Sequence, residues 1–102
     1  MRVIVKGRLL EFWKGHSQAQ RPLEEWYAVT DKAKWTSFDD LRKTFSSADQ
    51  VRVRSGRMVT VFNIAGNNYR LVAAIHYNTQ KVFILEVMTH DEYSKGTWKR
   101  RF

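Results

Sequence analysis

The hydrophobic periodicity of this chain changes once, at Asp49. Before it, apolar side chains recur at the three- and four-residue intervals of a helix face. After it, they alternate or run in short β-branched blocks, as strands require. A chain with its helices first and its strands afterwards is expected to fold as α+β, with the helices gathered on one side of a small sheet.

Punctuation residues divide the chain further. Val3-Ile4-Val5 suits a short first strand. Leu9, Leu10, Phe12 and Trp13 give a helical stripe from Arg8 to Lys14, which Gly15 ends. Pro22 fits the first turn of a second helix running to about Lys34, with Leu23, Trp26, Tyr27 and Thr30 at helical spacing. Ser37, with Asp40 three residues on, opens a short third helix carrying Phe38, Leu41 and Phe45. Strands are then expected at Val51–Arg54, Met58–Ile64, Tyr69–Tyr77 and Lys81–Thr89, with turns at Ser55-Gly56, Ala65-Gly66-Asn67 and Asn78-Thr79-Gln80. The expected architecture is N-terminal helices packed on a small twisted antiparallel sheet. Residues 1–102 are expected to make one domain, since this length leaves no room for a second core.

Charge and cysteine usage narrow the function. With 18 Lys and Arg against 10 Asp and Glu, the net charge of +8 favours a polyanionic or acidic partner. No segment approaches the roughly 18 apolar residues of a spanning helix, and no helix has the concentrated apolar face that binds a membrane surface. The absence of cysteine removes disulfides, thiolate catalysis and thiolate metal sites, and it fits a cytoplasmic protein. Acids and histidines are too scattered to form a metal site, so neither metal nor cofactor is expected.

The last two strands hold the candidate chemistry. A three-residue turn at Asn78-Thr79-Gln80 sets Leu71 opposite Val87, Ala73 opposite Leu85 and Ile75 opposite Phe83, an apolar face for the helices. The other face then carries Arg70, Val72, Ala74 and His76, opposed by Val82, Ile84, Glu86, Met88 and His90. Arg70 lies opposite Met88 on that face, with Glu86 and His90 as diagonal neighbours. With Tyr93 close behind, Arg70 and His90 make a trio suited to a phosphodiester: a fixed cation, a group that titrates near neutrality and a phenol. A plainer reading makes Arg70 the surface ion-pair partner of Glu86. Lys95 adds positive field beside Tyr93. Between Asp49 and Glu86 no acid occurs, while Arg52, Arg54 and Arg57 do, a one-signed run that suits an RNA backbone. Asn68, at the head of the Arg70 strand, joins these substrate-binding candidates. Trp98, among Lys95, Lys99, Arg100 and Arg101, reads equally as a base-stacking platform or as a tail packed on the sheet. Trp13, Trp26 and Trp35 read as core, and His16 and His76 as structural.

The segment from Val61 to Val72, with Asn67-Asn68-Tyr69-Arg70-Leu71, followed by Thr89-His90-Asp91-Glu92-Tyr93, resembles the HigB family of type II toxins within the RelE/ParE-like superfamily. The likeness extends to Pro22-Leu23-Glu24-Glu25-Trp26 and the helix from Ser37 to Phe45. It implies a RelE-like fold, translation-linked cleavage of mRNA with the ribosome as a partner, and neutralisation by a HigA-like helix-turn-helix antitoxin. It also implies active-site roles for Arg70 and Tyr93. Where family members often carry Asp after the tyrosine, this chain has Ser94, so no acid is carried over there.

Such cleavage is attack of a ribose 2′-hydroxyl on its phosphate, leaving a 2′,3′-cyclic phosphate. Arg70 would hold the phosphate, His90 would act as acid or base, and Tyr93 would orient the hydroxyl, stack on a base or exchange a proton. A ParE-like toxin that binds DNA gyrase and a non-catalytic RNA-binding protein are the two alternatives. Neither requires the histidine and tyrosine to converge on the arginine.

Overall fold

The computed structural model describes every residue from Met1 to Phe102. Strands β1 (Arg2–Ile4), β2 (Asp49–Arg52), β3 (Met58–Ile64), β4 (Tyr69–His76) and β5 (Lys81–Thr89) form one sheet in the order β1-β5-β4-β3-β2. Helices α1 (Gly7–Gly15), α2 (Gln20–Lys32) and α3 (Phe38–Thr44) fill the N-terminal half. A fourth helix, α4 (His90–Lys95), and a 3-10 turn (Thr97–Arg101) follow the last strand. The fold is therefore α+β as expected, with one correction at the sheet's edge. β1 runs parallel to β5, so the sheet is mixed. Nearly the whole chain separates these two strands, and parallel neighbours need such a long connection.

Local chemistry sets the element ends. Val5 adopts φ 67°, a left-handed conformation that ends β1 one residue earlier than the apolar run suggests. Ser37 caps α3 by accepting the Asp40 amide at 3.1 Å, and Asp40 accepts the Thr36 amide at 3.0 Å. Pro22 lies in the first turn of α2, where its missing N–H costs no helical bond.

Both faces of the sheet are covered. Phe62, Ile64, Leu71, Ala73, Val82 and Ile84 face the helical layer and pack with Leu9, Leu23, Trp26, Trp35 and Leu41. Edge-on aromatic contacts link Trp26 to Phe62, Phe62 to Phe45 and Phe45 to Trp35, with centroids 5.3, 5.3 and 5.8 Å apart. The opposite face presents Val59, Val61, Val72 and Met88 to Trp98, with Tyr93, Leu85 and Phe102 packed around them.

A β-bulge divides the β4–β5 pairing. On the Arg70 side, Arg70 faces Met88 and Leu71 faces Val87, the pairing expected from the sequence. Between the irregularity at Val72/Ala73 and the turn, Ala73 faces Ile84, Ile75 faces Val82 and His76 faces Lys81, so the turn runs from Tyr77 to Gln80, one residue longer than expected, and the bulge restores the register. Expected partners Leu85 and Phe83 are displaced by one. A one-residue shift exchanges the two faces of a strand, so Val82 and Ile84 join the helical core and Leu85 turns to the other side.

The helical core carries much of the stability. Leu23 is fully buried, whereas Leu10 on α1 is 46% exposed. Leu23→Ala is expected to cost about 2–5 kcal/mol in urea denaturation, and Leu10→Ala less than about 0.5 kcal/mol.

Candidate active site

Arg70 is the only buried charged side chain, 8% exposed. Its neighbour Tyr69 faces the helical layer, where its ring meets Phe12 and His16 edge-on at 5.5 and 5.9 Å. Strand alternation then directs Arg70 to the opposite face. There Nη1 donates to the carbonyls of Asn67 (3.0 Å) and Tyr69 (3.1 Å), and Nη2 donates to Asn67 Oδ1 (2.9 Å). A longer contact of 3.4 Å joins Nη2 to His90 Nδ1. Tyr93 covers the guanidinium, whose carbon lies 5.3 Å from the ring centroid.

No carboxylate pairs with this cation. Glu86, its expected surface partner, is instead ion-paired with Arg101 of the C-terminal turn. A buried guanidinium is costly without a counter-ion, and here only carbonyl, amide and aromatic groups compensate it. Its positive charge remains available to an anion. Four of its five N–H groups are engaged internally, so the free protein holds Arg70 clamped rather than as an open fork. The long His90 contact is the one an incoming phosphate most readily replaces.

His90 and Tyr93 come from α4, which starts where the expected strand ends, at Thr89, and to which the sequence reading assigned no helix. Thr89 accepts the Glu92 amide at 3.2 Å and Glu92 returns to the Thr89 amide at 3.1 Å, a complete capping box that ends β5 and starts the helix. The pattern Thr89-x-x-Glu92 is legible in the sequence and was the missed signal. The His90 amide bonds the Asn68 carbonyl at 3.0 Å, which ties the helix start to the turn that clamps Arg70. Gly96, at φ 76°, ends the helix in a left-handed cap.

Trp98 underlies Tyr93. Its indole is 1% exposed, stacks on the Tyr93 ring at 5.4 Å with 20° between planes, and donates from Nε1 to the Tyr93 carbonyl at 3.1 Å. It belongs to the packed tail, and no open face is left for a base. This corrects its reading as a stacking platform.

The remaining substrate-binding candidates do not join this cluster. Arg52 lies at the far end of β2, opposite Met58, whereas Arg70 lies opposite Asn63. Those rows are five residues apart along β3, roughly 17 Å. Arg54 and Arg57 are exposed beyond Arg52, in the β2–β3 connection. The Arg54 amide donates to the Lys99 carbonyl at 3.0 Å, so this connection and the basic tail form a second cationic area. Lys95 is exposed on the last turn of α4. Asn68 is exposed in the β3–β4 turn and contributes its carbonyl to His90, while its neighbour Asn67, which sequence reasoning passed over, grips Arg70. No three His, Asp or Glu side chains converge as a metal site would need.

Burial pushes the Tyr93 hydroxyl above its ordinary pKa of 10.0; the Asp49 carboxylate raises it further and Arg70 opposes. The phenol is therefore neutral at physiological pH, a donor rather than a base. The Tyr77 hydroxyl is likewise raised by burial.

The structure is thus a small α+β domain with an arginine, a histidine and a tyrosine gathered at the end of a sheet. Residues 19–96 match the family HigB_toxin, described as the RelE-like toxic component of a toxin-antitoxin system, and the chain belongs to that family. It is 40% identical over 55 residues to the mRNA interferase toxin HigB of Escherichia coli K12, a match covering 54% of this chain and 51% of that protein. The mRNA interferase HigB of Shigella flexneri matches to the same extent. The chain thus spans about half the length of these curated relatives. A more distant relative, the mRNA interferase HigB of Escherichia coli O6:H1, is 25% identical over 97 residues, covering 95% of this chain and 92% of that protein.

The charge environment of Tyr93 yields two checks. In spectrophotometric titration, referenced to Tyr93→Phe, Asp49→Asn should lower the Tyr93 pKa and Arg70→Met should raise it. Because Tyr77 and Tyr93 have folded pKa values above the unfolded value of 10.0, the stability they contribute is complete below pH 10.0. It should decline as pH rises from there through the raised values, measured by urea midpoints.

Proposed function

We propose that this protein is a metal-independent mRNA endoribonuclease, the toxin of a type II toxin-antitoxin pair, acting in the cytoplasm on translated mRNA. The observation that carries the reading is the buried Arg70 guanidinium, uncompensated by any carboxylate and flanked by His90 and Tyr93. Such a cation suits a phosphodiester, because its charge persists at any working pH and strengthens as charge grows on the phosphate oxygens. The similar HigB proteins are mRNA interferases, which points the same way.

In this reading the 2′-hydroxyl attacks the adjacent phosphorus, and the bond to the next nucleotide's 5′-oxygen breaks. Arg70 meets the phosphate charge, releasing His90 from its long contact. His90 exchanges a proton with the reacting oxygens, and the neutral Tyr93 hydroxyl donates a hydrogen bond that orients the substrate. The exposed Arg52, Arg54, Arg57 and Lys95 attract flanking phosphates. We propose that the whole of 1–102 works as one domain, with the ribosome presenting the mRNA and a HigA-like helix-turn-helix antitoxin neutralising the toxin. The net charge of +8 favours both a polyanion and an acidic antitoxin segment.

The test is end-labelled mRNA incubated with the protein in EDTA, with and without translating ribosomes. Expected products end in 2′,3′-cyclic phosphate, and Arg70→Ala should lower the rate by at least about 100-fold while retaining the wild-type circular dichroism spectrum. Products ending in 3′-hydroxyl would refute attack by the 2′-oxygen. Intact RNA from folded protein that is toxic in cells would favour gyrase binding instead.

A further inference from the structure

Cleavage by a 2′-hydroxyl requires an acceptor for its proton, and the Arg70 cluster is composed of donors. A guanidinium accepts nothing, and the Tyr93 phenol keeps its hydrogen. His90 Nδ1 faces a group that can only donate, so in this arrangement its ring hydrogen lies on Nε2 and the imidazole also presents a donor.

The carboxylates near the cluster can be taken in turn. Glu86 is ion-paired with Arg101. Glu92 is bound to both the amide and the hydroxyl of Thr89. Asp91 precedes Tyr93 by two residues on α4, which turns it roughly 160° away from the side Tyr93 gives to the sheet. Asp49 remains. It opens β2 directly across from Val61, which stands directly across from Val72, and Val72 shares the face of Arg70. Its side chain is exposed, makes no ion pair and accepts only the amide of Gln50 at 2.9 Å. By this register Asp49 stands on the Arg70 face two strands from Val72, and its carboxylate helps to raise the Tyr93 pKa. In the strand order, His90 follows β5 and Asp49 belongs to β2, with Arg70 on β4 between them.

We propose that Asp49 is the general base of the RNA cleavage read above, working from the side of Arg70 opposite to His90. The 2′-hydroxyl gives its proton to the Asp49 carboxylate as the 2′-oxygen–phosphorus bond forms. Released from Arg70, His90 Nδ1 takes a proton from water, and the resulting imidazolium gives its Nε2 proton to the leaving 5′-oxygen as the phosphorus–5′-oxygen bond breaks. Asp49 then returns its proton to water, so each group ends with the charge it began with. The inference rests on the RNA-cleavage reading.

The experiment compares wild type, Asp49→Asn and His90→Ala on two mRNAs: one natural, the other with sulfur replacing the bridging 5′-oxygen at the mapped cleavage position. Sulfur leaves without a proton, so loss of an acid is rescued and loss of a base is not. On natural RNA, Asp49→Asn should slow kcat by about 10²–10⁴-fold with little change in KM and an unchanged thermal midpoint. On the sulfur substrate, His90→Ala should recover most of its rate and Asp49→Asn should stay slow. Wild-type rates for Asp49→Asn on both substrates, or its rescue by sulfur, would overturn the assignment of Asp49 while leaving the cleavage reading intact. Failure of the wild type to cleave either RNA, with or without ribosomes, would overturn both.

Discussion

The clamp on Arg70 is the constraint to which the rest of the molecule is arranged. Burying a guanidinium without a counter-ion is tolerable only where its hydrogens are answered, and the Asn67 carbonyl, Asn67 side chain and Tyr69 carbonyl answer three of them at 2.9–3.1 Å. The two Asn67 acceptors belong to a turn with Ala65 at φ 54° and Gly66 at φ 67°. The turn is held in place because Tyr69, the first residue of β4, is locked into the helical layer by Phe12 and His16. Packing on one face of the sheet thereby fixes a charge on the other.

The second face depends on the tail in the same way. Trp98 fills it, supports the Tyr93 ring from below and bonds its carbonyl, while the Arg101–Glu86 pair fastens the turn to β5. That pair also occupies the carboxylate that would otherwise be nearest in register to neutralise Arg70. A structural ion pair at the tail thus preserves an unneutralised cation at the site. Net positive charge then does the rest, drawing polyanions toward a cation already desolvated and oriented.

Much of this was legible in the residues, and the failures have identifiable causes. The change of period at Asp49 separates α1–α3 from β2–β5, and Arg70 falls opposite Met88 as expected, although only because the bulge offsets a turn one residue longer than the three assumed. From the turn to Ala73 the expected register errs by one, because neither the longer turn nor the bulge leaves a mark in an apolar run such as Val82-Phe83-Ile84-Leu85, where every residue suits either face. The start of α4 was readable, since Thr89 and Glu92 have capping-box spacing, but the apolar run through Met88 masked it. Asn67 was hidden because an asparagine in a turn needs no partner to explain it. Asp49 was hidden because its relation to Tyr93 exists only once β2 pairs with β3. Trp98 left a stacking platform and a packed tail equally open, because the charge of its neighbours suggests exposure while one apolar side chain in a basic segment is enough to anchor that segment on a sheet.

The most direct test of the account is a crystal structure of the protein with a short RNA whose 2′-hydroxyls are methylated, which blocks attack. The account predicts one phosphate bonded to the Arg70 guanidinium in place of the His90 contact, with the blocked 2′-oxygen and the 5′-oxygen lying toward Asp49 and His90. Phosphates confined to Arg54, Arg57 and Lys99, with the Arg70–His90 contact intact, would contradict it.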